Sequence, residues 1–209
     1  DIVAVIEEFM TEYSSVDQIV LSIPGVIDGD EIEFSYIKEL EGARLKEKLQ
    51  EQFDKRISME NDMHCIAYGY KDNNQDKNTV ITFAGFPSHV QPGTATMHKG
   101  QIISGYNGIA GLGGFMPLGI SPDEIPDLMV EGKCTDIISR ITGAVIAFNN
   151  PKEIVFSGEL ISEKVLDEVA EYRSKSVPAK YMPEFKMVAD FDEFLINGMF
   201  QIAIENKEL

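Results

Sequence analysis

Cysteine is scarce in this sequence: Cys65 and Cys134 are the two present, 69 positions apart, with no Cys-x-x-Cys pair. That excludes a disulfide framework and a structural zinc site, and two buried, reduced thiols are expected. Basic residues are few as well. Against 35 acidic side chains stand 18 basic ones, a net charge of −17, and no basic cluster offsets it. Such a surface repels nucleic acid and anionic membranes, so direct contact of this segment with either is not expected. The longest mainly apolar runs, such as residues 19–23, are far too short to span a bilayer, and the amino end has no basic segment followed by an apolar signal stretch. A cytoplasmic location is the expectation.

Several catalytic signatures are also missing. His64, His89 and His98 are too scattered for an i, i+4 metal pair, and none has a Cys, Asp or Glu at zinc-ligand spacing, so no metal site is expected. There is no G-x-S-x-G elbow, and Ser22, Ser35 and Ser157 have no identifiable histidine partner, which argues against nucleophilic hydrolysis. A G-x-x-x-x-G-K-[ST] phosphate loop is absent too.

What the chain does have is 209 residues at 44% hydrophobic and 25% charged, enough for one large domain or two small ones and incompatible with a collagen-like, mucin-like or disordered chain. Ile2, Val5, Ile6, Phe9, Met10 and Tyr13 form one apolar stripe at helical spacing, and a start inside an element without an initiator Met reads as a fragment. Residues 19–23 read as a strand stopped by Pro24-Gly25, residues 26–29 as a loop and residues 31–34 as a short strand. A helix is expected around Leu45, Leu49 and Phe53, a strand over 56–59, and a helix capped by Asp62 and running to Tyr70. The polar stretch 71–78 lacks an apolar period and is the expected boundary or hinge.

Beyond it, residues 79–84 read as a strand, 86–92 as a loop and 94–104 as a hairpin turning at Lys99-Gly100. Helices are expected over 123–129, 135–148, 163–173 and 191–204, and strands over 153–156 and 185–189. Alternating strands and helices predict α/β layers. Six glycines between residues 105 and 119 are too many for a regular element and predict a tight connection using positive φ.

Glu60-Asn61-Asp62 is the most informative polar cluster, because two carboxylates and an amide at a strand end can exchange hydrogen bonds with sugar hydroxyls. Asp62 could also take a proton from such a hydroxyl as general base. The competing reading is structural: Asp62 caps its helix and Asn61 closes the turn. Spacing leaves both open.

Five blocks in order, Ile23-Pro24-Gly25-Val26-Ile27-Asp28, Glu60-Asn61-Asp62, Lys99-Gly100-Gln101-Ile102-Ile103, Gly108-Ile109-Ala110-Gly111 and Pro151-Lys152-Glu153-Ile154-Val155-Phe156-Ser157-Gly158, give a chain that resembles the ROK family. That family groups bacterial sugar kinases with sugar-responsive transcriptional repressors. The resemblance implies an α/β actin-like ATPase (ribonuclease H-like) two-lobe fold. Its amino-terminal lobe would be incomplete, because the Asp-x-Gly-Gly-Thr phosphate turn of ROK kinases is missing and would lie upstream of Asp1. Residues 1–74 would form the remainder of that lobe, and 75–209 the carboxy-terminal lobe, with the last helix packing back on the first.

For single residues, the resemblance implies that Glu60, Asn61 and Asp62 bind a small-molecule sugar and that Asp62 is the base in a kinase member. Glu39-Leu40-Glu41-Gly42 stands where an Asn-Leu precedes a glycine in the family, putting Glu39 at a sugar-binding position. Gly111-Leu112-Gly113-Gly114-Phe115 replaces a Gly-Glu-Ile-Gly-His whose Glu and His touch sugar. The second phosphate turn is replaced by residues 84–94, with Pro87 and Pro92 unable to donate to phosphate; what nucleotide contact remains falls to Gly93, Thr94 and Gly158. These departures predict a non-catalytic sugar-binding domain, the effector-sensing part of a transcriptional regulator, needing no cofactor; the partner expected besides sugar is a second copy in a homodimer. The rivals are an ATP- and Mg²⁺-dependent sugar kinase using Asp62, and a scaffold that binds no sugar.

Overall fold

The computed structural model describes residues 2–70 and 79–205. The expected hinge at 71–78, and with it the expected boundary at 74/75, lies outside them. The chain opens with helix α1 (Ile2–Glu12), followed by strands β1 (Gln18–Ile23), β2 (Gly25–Asp28) and β3 (Glu31–Ser35), helix α2 (Leu45–Gln52), strand β4 (Arg56–Asn61) and helix α3 (Asp62–Gly69). After residue 78 come β5 (Val80–Gly85), β6 (Gly93–His98), β7 (Gln101–Ile102), α4 (Ile125–Leu128), α5 (Thr135–Asn149), β8 (Glu153–Ser157), α6 (Glu163–Ser174), β9 (Glu184–Met187) and α7 (Asp192–Glu205).

The larger sheet has the order β7-β6-β5-β8-β9, antiparallel from β7 to β5 and parallel from β5 through β8 to β9. Its inner strands β5 and β8 are buried on both faces, which is why they read as apolar runs, whereas the outer β7 and β9 are partly exposed. Side chains alternate between two cores with the two-residue period of a strand. Ala84, Ile154 and Phe156 meet α5 and α6 through Ile138, Ile141, Leu166 and Val169, while Ile81, Phe83 and Val155 meet Met63, Ile66 and Ala67 of α3. The β6–β7 turn is the two-residue Lys99-Gly100 loop, both residues at positive φ, as the hairpin geometry requires.

On the other side of α3, β1 and β4 pair in parallel, and Ile23, Ile57, Leu45, Leu49 and Ile32 form a third core with α2 and β3. α7 runs against α3 and reaches β1. Glycines allow that contact: a Cβ on Gly198 would lie 1.8 Å from the Cys65 carbonyl oxygen, and one on Gly69 1.8 Å from that of Phe194. No described helix is long and apolar enough to cross a membrane.

Four local expectations are corrected. Residues 26–29, read as a loop, contain most of strand β2, because β3 supplies antiparallel partners for Val26 and Ile27 that are invisible locally. β4 continues past Met59 through Glu60 to Asn61, following its register with β1 up to Ile23. The helix expected over 123–129 is a 3-10 turn over residues 122–124 followed by the single turn of α4, with prolines at 122 and 126 limiting its backbone donors. The apolar stripe of α1 is only partly used: Val3 and Ile6 pack on the third core, whereas Val5 and Phe9 stay exposed.

Candidate functional site: a cleft at the start of helix α3

The carboxyl end of β4 delivers Glu60 and Asn61 directly into α3, and their side chains fix the junction. Asn61, not Asp62, is the N-cap: its Oδ1 accepts from the His64 amide at 3.0 Å. Its Nδ2 donates to the Gly25 carbonyl at 2.8 Å, tying β4 to the start of β2. One N–H and one lone pair of the Asn61 amide remain for a ligand. Glu60 Oε1 accepts from the Asn61 amide and lies 2.9 Å from His64 Nδ1.

Asp62 is the first residue of α3. Its Oδ1 accepts from the Met63 amide at 2.8 Å, and its Oδ2 makes no hydrogen bond among the described residues. Burial pushes its carboxyl above the ordinary range, opposed by the Met63 amide and by His64. The cap is thus Asn61 and not Asp62 as expected, and Asp62 is left with a free oxygen.

Asp62 faces a cavity of about 110 Å³ between two walls. One wall holds Pro24, Gly25 and Tyr36; the other holds Pro87, Val90, Gln91, Gly93, Thr94 and the Gly111-Leu112 turn. A second cavity of about 250 Å³ adjoins it across Gly25, Asn61, His64 and Gly108, and is lined by Glu60, Tyr68 and Ser104. The three clustered polar residues are thus divided: Asp62 serves the first cavity, Glu60 the second, and Asn61 both. No Lys or Arg lines either one.

Of the other expected positions, Gly93 and Thr94 line the first cavity. Glu39 is exposed in the connection after β3 and lines neither. Gly158 ends β8 at φ +117°, where a Cβ would fall 2.3 Å from the Phe86 carbonyl oxygen; it lines neither cavity. Sequence reasoning missed Tyr36 and Gln91, which belong to no motif. One expectation about the glycine stretch is met: Gly105, Gly108, Gly111 and Gly119 adopt positive φ; Leu112, from the same stretch, lines the first cavity.

The loop that replaces the phosphate turn has several of its backbone donors engaged. The amides of Phe86 and His89 donate to the carbonyls of Ser157 and Met129, and the Ser88 amide donates to Glu159 Oε2 at 2.7 Å. Pro87 and Pro92 have no amide hydrogen. A carboxylate therefore already sits on one backbone donor of this loop, which opposes a phosphate at that position. Among the described residues, no group of three or more His, Cys, Asp or Glu side chains is placed to hold a metal ion.

An antiparallel-to-parallel five-stranded sheet, a second β/α layer and a polar cleft between them define the two-lobed actin-like ATPase fold, in the form used by sugar kinases and related regulators. A model of the ROK family matches residues 1–136, and the chain belongs to that family. Solved structures agree on the fold. A ROK family protein from Streptococcus pneumoniae in complex with sucrose superposes with a TM-score of 0.69 at 16% identity, covering 100% of this chain and 87% of that one. A ROK family glucokinase from Streptomyces griseus in complex with glucose and AMPPNP gives 0.62 at 14% identity, over 96% and 86%. A ROK family transcriptional regulator homologous to the E. coli MLC protein gives 0.67 at 17% identity, over 96% and 67%. No curated protein matches the sequence significantly.

Proposed function

We propose that this chain binds a small neutral sugar in the cleft at the start of α3 and acts as the effector-sensing domain of a regulator, not as a kinase. The observation that carries this reading is the contrast across the cleft. Asp62 keeps a free carboxylate oxygen facing the cavity, whereas the loop opposite it has a backbone donor occupied by Glu159. Phosphoryl transfer relies on positioning and on stabilising charge, and that loop offers few free donors for either. The absence of Lys and Arg from both cavities favours an uncharged, hydroxyl-bearing ligand over a phosphorylated or acidic one. A ligand that bridges Asp62 and the opposite wall would draw the two walls together, a change that a regulator can report.

Calorimetry of the full-length protein against hexoses and amino sugars tests the reading. Binding that weakens in Asp62→Asn is expected, and no binding by any sugar would overturn it. The kinase reading has one observation in its favour, the raised carboxyl of Asp62, which suits a general base. A coupled ADP-release assay separates the two: no turnover is expected, and turnover abolished by Asp62→Asn would put the kinase in its place.

A further inference from the structure

Two polar atoms buried at the cleft make no hydrogen bond of ordinary geometry among the described residues: Gln91 Oε1, and Tyr36 Oη, which has only the Gly114 amide acting on its oxygen and keeps its own proton to donate. Buried polar groups are nearly always bonded, so two such oxygens on facing walls of one cavity call for an explanation. Tyr36 follows β3, with its ring fixed edge-on against Phe34 at 5.1 Å. Gln91 comes from the opposite wall, and its Nε2 donates to the Pro122 carbonyl at 2.8 Å, which fixes which end of the amide is the oxygen. The two atoms meet at Gly114. A Cβ there would fall 1.7 Å from Gln91 Oε1 and 3.2 Å from Tyr36 Oη, which puts the two oxygens within about 5 Å of each other by the triangle inequality.

We propose that Tyr36 and Gln91 together recognise one hydroxyl group of the ligand, and so help to set which sugar the cleft accepts. Tyr36 offers a donor, while Gln91 Oε1 can only accept. A hydroxyl satisfies both at once, accepting from Tyr36 and donating to Gln91; an ether or carbonyl oxygen cannot donate, and an ammonium cannot accept. A single oxygen bonded to both at about 2.8 Å and near the tetrahedral angle spans about 4.6 Å, which the spacing admits. Asp62 lines the same cavity as Tyr36 and Gln91, so another hydroxyl of the same ligand can turn toward its free oxygen. The absence of a side chain at Gly114 is what lets the Gln91 amide sit beside Tyr36.

The inference rests on the sugar-binding reading above, and its test separates the two. Wild type and Tyr36→Phe are titrated calorimetrically with glucose, mannose, galactose and N-acetylmannosamine, then with the monodeoxy analogues of the tightest binder. Tyr36→Phe is expected to bind that sugar about tenfold more weakly, with an unfolding midpoint equal to or above wild type because a buried unpaired hydroxyl has been removed. One monodeoxy analogue should bind wild type about tenfold more weakly than the parent, and bind Tyr36→Phe and wild type alike. Gln91→Leu should show the same loss for the same analogue. If the parent sugar binds Tyr36→Phe as well as wild type, or every analogue loses equally in both proteins, the inference fails and sugar binding stands. If no sugar binds wild type, both fail.

Discussion

Gly198→Ala probes the contact on which the site rests, because α7 braces α3 and α3 begins with Asp62. The new methyl would lie 1.8 Å from the Cys65 carbonyl oxygen and 2.6 Å from its carbon, whereas ordinary contact begins at 3.4 Å. Neither neighbour is a flexible side chain that can swing aside, so the helices must separate by about 1.5 Å in a close-packed interior. Overpacking costs about 1–3 kcal/mol, and a backbone neighbour places this case at the upper end. Replacing glycine by alanine inside a helix returns about 1 kcal/mol. A net loss of about 2 kcal/mol is therefore expected, or roughly 4–8 °C in Tm for a chain of this size. Urea unfolding should show a lower midpoint at unchanged slope. Asn197→Ala, next to it on the exposed side of α7, should change stability little. Gly69→Ala meets the Phe194 carbonyl at the same 1.8 Å and should destabilise likewise, but the double variant should lose less than the two losses combined, since one separation of the helices relieves both clashes. Gly198→Ala at or above wild-type stability would refute the backbone-contact reasoning.

Two further outcomes follow from buried titrating groups. The carboxyl of Asp62 is raised in the folded state, chiefly by burial, so the folded protein holds this proton at a pH where the unfolded chain, near 3.9, has lost it. Its contribution is complete below that value and declines as pH rises through the folded pKa. Asp62→Asn should match wild type in acid and become the more stable of the two as pH rises above about 4, measured by urea midpoints across pH. A constant difference at every pH would refute this. Burial, then the charge of Glu60, pushes the Cys65 thiol up to about 12, and burial raises Cys134 as well. Both should resist a thiol reagent at pH 8 and react fully in denaturant, and stability should fall as pH rises from about 9 toward 12. Fast labelling of the native protein would contradict that.

Periodicity carried most of the element order, since a strand such as β8 or a helix such as α5 announces itself by residues two or 3.6 positions apart. The polar run Glu60-Asn61-Asp62 and the positive-φ glycines were legible for the same reason, being local in the chain. The division of labour within that run was not: which residue caps α3 depends on how far β4 extends beside β1, and that register is a pairing between residues nearly forty positions apart. β2 was hidden because its partner, β3, had to be in place before Val26 and Ile27 could be recognised as a strand.

Composition and short-range pattern alone determined the class of this protein: an acidic, cysteine-poor α/β chain with a polar cluster at a strand end. Tertiary structure alone decided what the cluster faces. Tyr36, Asp62, Gln91 and Leu112 come from four separate segments, and only packing of the two layers around α3 places them on one cavity. The same packing seats Glu159 on the Ser88 amide across 71 positions of sequence. Local preference acts through neighbours in the chain, whereas a cleft is made by neighbours in space, and the second is not written in any single window of the first.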